Sequence, residues 1–173
     1  MQKIGQINSF PVYTLTREIA EKHVHEIVQM VDSIPLVPYT AKEVLAESKE
    51  DREFIEKWKH SLIVFDDEKP VAAIFAYERK AEDTGQYLIN SLYISELAVH
   101  EAYRKQGIAR KLLQIFLDQN AKFLTLDGPF MYSVQTNSAD WNQHVIELYQ
   151  SFGFKKTSTK KYDNRVDVVL CKK

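Results

Sequence analysis

The chain has 173 residues, 45% hydrophobic and 27% charged, with 23 Lys plus Arg against 24 Asp plus Glu. That length and mix fit one globular domain spanning 1–173, and the net charge of −1 excludes a generally basic coat for nucleic acid or a membrane surface. A single Cys excludes an internal disulfide, and with no long apolar run and no signal-like start at Met1-Gln2-Lys3-Ile4-Gly5 the expected setting is cytoplasmic.

The elements are expected in the following order. A short strand covers Pro11 to Leu15, and Thr16 has the hydroxyl to cap a following helix. Ala20, Val24, Ile27, Val31 and Ile34 recur at spacings of three and four, one face of a helix that Pro35 and Pro38 end. The charge-rich stretch 41–59 reads as two short helices with a solvated face, Ser48 and Asp51 having capping-box spacing. Strands follow over Leu62 to Phe65 and Val71 to Tyr77, joined by the turn Asp66 to Pro70. A polar loop, Arg79 to Gln86, leads into a longer strand from Tyr87 to Val99. After Gly107 a helix opens, with Ile108, Leu112 and Phe116 on one side and Ala109 and Leu113 beside them. A strand (Phe130 to Gln135), a helix (Asn142 to Ser151) and two closing strands (Phe154 to Thr157, Arg165 to Cys171) complete the chain. Helices alternating with strands, some hairpin-linked, predict an α/β or α+β fold around a mixed sheet.

The most informative segment runs from Leu97 to Lys111: a strand, a short basic turn, one Gly and an amphipathic helix. The first turn of a helix has backbone N–H groups without partners and a positive dipole end. Gly107 lets the backbone approach a bulky anion, and small Ala109 keeps the approach clear. Arg104, Lys105, Arg110 and Lys111 against Glu101 give residues 101–111 a charge of +3. Together these features suit a phosphate or pyrophosphate; the alternative is a helix start with incidental surface charges. Neither the G-x-x-x-x-G-K-[ST] nor the G-x-G-x-x-G spacing is present. In the second segment, Asn142 to Phe154, Gly153 fits a helix C-cap, and periodicity alone makes Tyr149 a core or groove aromatic.

Together the two segments resemble the GNAT superfamily of acyl-CoA-dependent N-acyltransferases. Leu97 and Val99 fill the family's L-x-V strand, and Arg104, Gly107 and Ala109 its R/Q-x-x-G-x-G/A helix opening. Asn142, Leu148, Tyr149, Gly153 and Phe154 match its later N-x-x-A-x-x-L-Y-x-x-x-G-F element, with Val145 in place of the small residue. The resemblance spans about 10–171, its specific motifs only 97–110 and 142–154. Glu101 stands where Pro is frequent, Lys105 where Gly is common, and Ala109 for the second Gly; none of these removes a backbone donor.

The resemblance implies a mixed, mostly antiparallel sheet flanked by helices, with strands four and five splayed. It implies acetyl-CoA as cosubstrate and no metal. The amides of Gln106, Gly107, Ile108, Ala109 and Arg110, with Arg104 and Lys105 beside them, would cradle the pyrophosphate. The strand Leu97-Ala98-Val99 would pair with the pantetheine arm, the Leu97 amide would polarise the thioester carbonyl, and Asn142 would touch the arm. Tyr149 holds the position of the general acid for the departing thiolate, and Glu96 that of a general base acting directly or through water. The bland reading of Glu96 is a carboxylate facing a cleft or an Arg; His100 and Tyr93 are fallback candidates. The implied reaction is acetyl transfer to a primary amine by direct attack in a ternary complex. The alternative is a non-catalytic acyl-CoA sensor on the same fold. The acceptor, a small molecule or a peptide, would be shaped by Val28 to Glu47, including Tyr39, and by Arg79 to Gln86, and a homodimer is open by analogy.

Other features carry less. His23 and His25, two apart on a helix, diverge and make a poor metal pair. Cys171 on the last strand reads as a packed thiol with no base beside it. Residues 155–173 carry +5, but their apolar interleaving from Val166 to Leu170 reads as a strand, so neither nucleic acid nor membrane is expected as a partner.

Overall fold

The computed structural model describes residues 2–33, 57–79, 90–125 and 131–173. It forms two compact units, each built from two stretches of chain: Met1–Tyr77 with Glu96–Ala121, and Glu78–Ser95 with Lys122–Lys173.

In the first unit, β1 (Lys3–Ile7), β2 (Phe10–Thr14), β3 (Leu62–Asp66) and β4 (Lys69–Arg79) follow one another as an antiparallel meander. The sequence reading missed β1. Its signal was Asn8, whose φ of 55° lies in the left-handed region that Asn tolerates, closing a two-residue turn between Ile7 and Phe10. The strand expected at Pro11 to Leu15 is β2, displaced by one residue.

The helix expected through Ala20 and Val31 is two helices, α1 (Arg17–Lys22) and α2 (Val24–Asp32). Thr16 caps α1 as expected, its hydroxyl accepting from the Ile19 amide at 3.3 Å. The break falls at His23 (φ −113°, ψ 25°), whose ring packs edge-on against Phe65 at 5.1 Å. A non-helical residue there resets the helical phase. Ile27, Met30 and Val31 are therefore buried, while Val24, expected inside, is 45% exposed. Ile34, Pro35, Pro38 and residues 41–56 with Ser48 and Asp51 lie outside the described residues; α3 (Lys57–His60) ends that stretch.

Strand alternation sorts the core of this unit. Leu15, Ile19, Ala20, Ile27, Met30 and Val31 cluster with Ile63, Phe65, Ala73, Phe75 and Ala98. The opposite parity, from Gly5 through Val12 and Val64 to Ala72, faces α4 (Ile108–Asn120): a Cβ on Gly5 would stand 3.3 Å from Ile115. Ile108, Leu112, Leu113 and Phe116 of α4 are buried, in keeping with their predicted spacing. Each such side chain contributes about 1.5–3 kcal/mol of apolar burial. The C-terminal end of α4 is pinned by a buried polar pair. His60 Nδ1 lies 2.8 Å from Asn120 Oδ1, and Asn120 Nδ2 donates to the carbonyls of Phe116 (3.0 Å) and His60 (3.3 Å). A carbonyl oxygen only accepts, so Nδ1 carries the proton. Asn120→Ala strips a buried donor of this acceptor and should cost about 2–3 kcal/mol in a urea melt; a loss under about 0.5 kcal/mol would show that the pair is not holding the helix end.

In the second unit, β5 (Ser91–Val99, of which Ser91–Ser95 belong here), β6 (Tyr132–Asn137), β8 (Arg165–Lys172) and β7 (Lys155–Tyr162) are neighbours in that order. The sheet is mixed and mostly antiparallel, as expected, with β5 and β6 its parallel pair among the described residues. These are strands four and five of the expected scheme. Their register pairs run from Leu92↔Tyr132 to Ile94↔Val134, while β5 continues to Val99 and β6 to Asn137. The buried residues of α5 (Gln143–Ser151) are Ile146 and Tyr149. The parts of the strands expected at 87–89 and at Phe130 lie outside the described residues. No helix among the described residues is long and apolar enough to cross a membrane.

Candidate active site

The turn between β5 and α4 is built within the first unit. At the end of β5 the His100 amide donates to Val71 O at 2.8 Å, and His100 Nδ1 accepts from the Ala102 amide at 3.3 Å. His100, a fallback catalytic candidate, thus caps the 3-10 turn Glu101–Tyr103. The Tyr103 hydroxyl donates to Asp66 Oδ2 at 2.7 Å, and its ring stands edge-on to Phe10 and His100. The hydrogen bond to Asp66, then desolvation and the charges of Asp66 and Asp67, hold the phenol above the ordinary tyrosine value. A raised phenol favours the neutral donor in the fold, so the tether is complete below the ordinary value and is lost only as pH rises through the raised one.

Beyond Tyr103 the backbone turns twice through the left-handed region, at Lys105 (φ 62°) and Gly107 (φ 75°, ψ 6°). Left-handed residues in succession with right-handed ones turn neighbouring amides toward one concavity, an anion nest. Gly107 is the N-cap of α4; no side chain caps it and no acidic residue occupies the first turn. The amides of Ile108 and Ala109 lie in the first turn, where a helix start leaves N–H groups without intrahelical partners. Arg110 and Lys111 add positive charge near the positive dipole end, the Lys111 ammonium donating to Asn8 Oδ1 at 2.6 Å. Among the described residues a Cβ on Gly107 would meet nothing within 4 Å, so the space beside Gly107 itself is open. Donors, charge and space all fit a pyrophosphate. Lys105, where the resemblance leads one to expect Gly, carries a left-handed backbone at a cost of about 1–2 kcal/mol. Lys105→Gly should therefore stabilise the fold by roughly 0.5–1 kcal/mol after the larger chain entropy of Gly is subtracted. A lower urea midpoint would show that the Lys side chain outweighs its strain.

The remaining candidates fall as follows. Leu97 and Val99 are half-buried and Ala98 is 1% exposed on the last stretch of β5. Glu96 precedes them in a run of three half-buried residues, Ser95 to Leu97, where the strict alternation of burial lapses. Arg104 is committed elsewhere: Nε donates to Val99 O at 3.0 Å and Nη2 to Ser33 Oγ at 2.6 Å. Gln106 is exposed, its amide reaching Ala102 O at 3.5 Å. Sequence reasoning did not find Asp66 or Ser33, which lie 37 and 71 residues from their partners and carry no local signal.

In the second unit, Asn142 is buried just before α5, and both its amide hydrogens are used, toward Thr136 Oγ1 (2.8 Å) and Asn137 O (2.7 Å). Its carbonyl oxygen is the atom left to accept. Tyr149 is 2% exposed, its ring edge-on to Phe154 at 5.3 Å. Gly153 (φ 85°) ends α5 in a Schellman motif, with the Phe154 amide on Tyr149 O and the Gly153 amide on Gln150 O. That motif fixes the turn on which Tyr149 sits. Tyr93, the other fallback candidate, carries the Arg79 guanidinium 3.2 Å above its ring. His25 faces solvent beside Gln29, away from buried His23, and Cys171 lies 3.6 Å from Thr157 Oγ1.

The NatC complex bound to Gag peptide and CoA superposes with a TM-score of 0.71 at 20% identity, covering 94% of this chain and 96% of that one. Arabidopsis thaliana Naa50 with the bisubstrate analogue CoA-Ac-MVNAL gives 0.67 at 19% identity, over 95% and 99%. The ribosomal-protein-S18-alanine N-acetyltransferase of Escherichia coli gives 0.60 at 18% identity, over 94% and 92%. Likeness at such identities establishes the fold. No match is found among curated protein sequences. The family described as "Acetyltransferase (GNAT) domain" matches residues 57–156, well over half the chain and inclusive of the nest, Asn142 and Tyr149. On that match and the shared fold, the chain belongs to the GNAT acetyltransferases, enzymes that use acetyl-CoA.

Proposed function

We propose that this protein transfers an acetyl group from acetyl-CoA to the nitrogen of a primary amine by direct attack in a ternary complex. The observation that carries this reading is the doubly left-handed turn before α4, which sets the positive end of that helix and its first-turn amides where a pyrophosphate would be held. Bound there, acetyl-CoA supplies an activated thioester; the protein's tasks are binding, orientation and proton management. The amides of Gln106 to Arg110 hold the pyrophosphate, and Lys105 adds charge beside them. Leu97-Ala98-Val99 offers its backbone to the pantetheine arm, and the Leu97 amide is the donor to the thioester carbonyl. Asn142 contributes an acceptor, because its own hydrogens are spent on Thr136 and Asn137.

Two protons must move. Glu96 takes one from the acceptor amine, directly or through water, and the Tyr149 hydroxyl returns one to the leaving sulfur. Among the described residues the Cys171 thiol lies 3.6 Å from the Thr157 hydroxyl, a neutral group that would not activate it as a nucleophile. Solved relatives held with peptides, or named for a protein substrate, support including peptide α-amines among the acceptors. Initial rates across small amines, lysine side chains and peptides of varied first residue test the proposal. Intersecting double-reciprocal lines for an accepted amine are expected. Parallel lines would overturn direct attack, and no amine-dependent rate anywhere in the panel would overturn the amine acceptor.

A further inference from the structure

Arg104 occupies the first position of the R/Q-x-x-G-x-G/A element, where its charge invites the role of phosphate ligand. Its hydrogen bonds point elsewhere. Nε donates to the carbonyl of Val99, the last residue of β5, at 3.0 Å. Nη2 reaches Ser33 Oγ at 2.6 Å and Ser33 O at 3.4 Å. The Ser33 hydroxyl spends its one proton on Met30 O at 2.6 Å, so its oxygen is free to accept from the guanidinium. Ser33 is the C-cap of α2, and the last turn of α2 contains no basic residue of its own. A helix C-terminus is the negative end of the dipole, and Arg104 supplies from across the chain the cation that α2 lacks. One planar fork therefore joins the end of α2 to the end of β5, immediately before the left-handed turn at Lys105.

We propose that Arg104 is a positioning residue for cofactor binding: it holds the pyrophosphate nest through Val99 and Ser33 and is not itself a phosphate ligand. The inference rests on the acetyl-CoA reading of the same turn and deepens it. Charge toward the anion then falls to Lys105 and the helix dipole, and the orientation of the amides falls to the clamp. Breaking the clamp at either end loosens the same nest, so its two ends act as one unit.

Calorimetric titration of CoA into wild type, Arg104→Gln, Arg104→Lys, Ser33→Ala and the Arg104→Gln/Ser33→Ala double variant tests this. Ligand-observed NMR of S-acetylpantetheine, which lacks the pyrophosphate, runs in parallel with a thermal melt of each protein. Arg104→Gln and Ser33→Ala are each expected to weaken CoA about five- to tenfold, with the double variant no weaker than the worse single. Acetylpantetheine binding should fall much less, by about twofold at most, because only Val99 of its strand touches the clamp. Arg104→Lys should fare no better than Gln, because an ammonium cannot span both acceptors, and the salt dependence of CoA binding should not change. Wild-type affinity in Ser33→Ala, or rescue by Lys with a flatter salt dependence in Arg104→Gln, would overturn the proposal in favour of a direct phosphate contact. Equal loss of both ligands would overturn it in favour of a general role in folding. If Ser33→Ala does not fold, the comparison of Lys with Gln at position 104 decides alone. A wild type that binds neither ligand would overturn the cofactor reading itself, a failure distinct from the other two.

Discussion

Tyr149→Phe is expected to lower kcat by about 10²-fold or more while leaving CoA affinity within about twofold of wild type. The size is that of a lost general acid. The substitution removes one oxygen and keeps the ring, which is 2% exposed and edge-on to Phe154 at 5.3 Å. The Schellman turn at Gly153 depends on backbone atoms alone and should survive. Binding is therefore expected to persist while protonation of the leaving thiolate does not. Turnover measured beside CoA titration separates the two, and a Phe variant with full kcat would remove Tyr149 from the mechanism.

Gly107→Leu should weaken CoA binding by about 10²-fold. Two effects combine. The left-handed φ of 75° costs any L side chain about 1–2 kcal/mol, which shifts the unliganded turn away from the conformation that binds. The added side chain would also stand beside the first-turn amides, where it would hinder hydrogen bonds to a charged group worth about 1.5–3 kcal/mol each. Gly107→Ala separates these contributions, because it carries the same strain with little bulk. An Ala variant that binds within about tenfold of wild type, beside a Leu variant that binds far worse, is the expected pair of results. Unchanged affinity in the Leu variant would place the pyrophosphate elsewhere.

What was legible in the sequence is what depends on local pattern. The buried stripe of α4 follows from its 3.6-residue period, and the Thr16 cap and the Gly153 stop follow from backbone chemistry that one residue type supplies. The helix start at Gly107 could be anticipated for the same reason, since one Gly before an amphipathic run is a local pattern. The broken helix at His23 was not legible, because the interaction that favours the break is a ring contact with Phe65 across 42 residues. The same limit hid the clamp. Arg104 looks like an anion ligand to anyone reading its immediate neighbours, and only the fold brings Ser33 within 2.6 Å. Lys105 shows the converse: its type argues against a left-handed residue, and the turn imposes one.

The central claim is transfer of an acetyl group to an amine nitrogen, and mass spectrometry of the acceptor tests it most directly. The protein is incubated with CoA carrying a heavy-isotope acetyl group and with an amine drawn from the panel. The account predicts an amine product heavier by one labelled acetyl group, with one free thiol released per product formed. Thiol release at the same rate without any amine, or with no label on the amine, would contradict it.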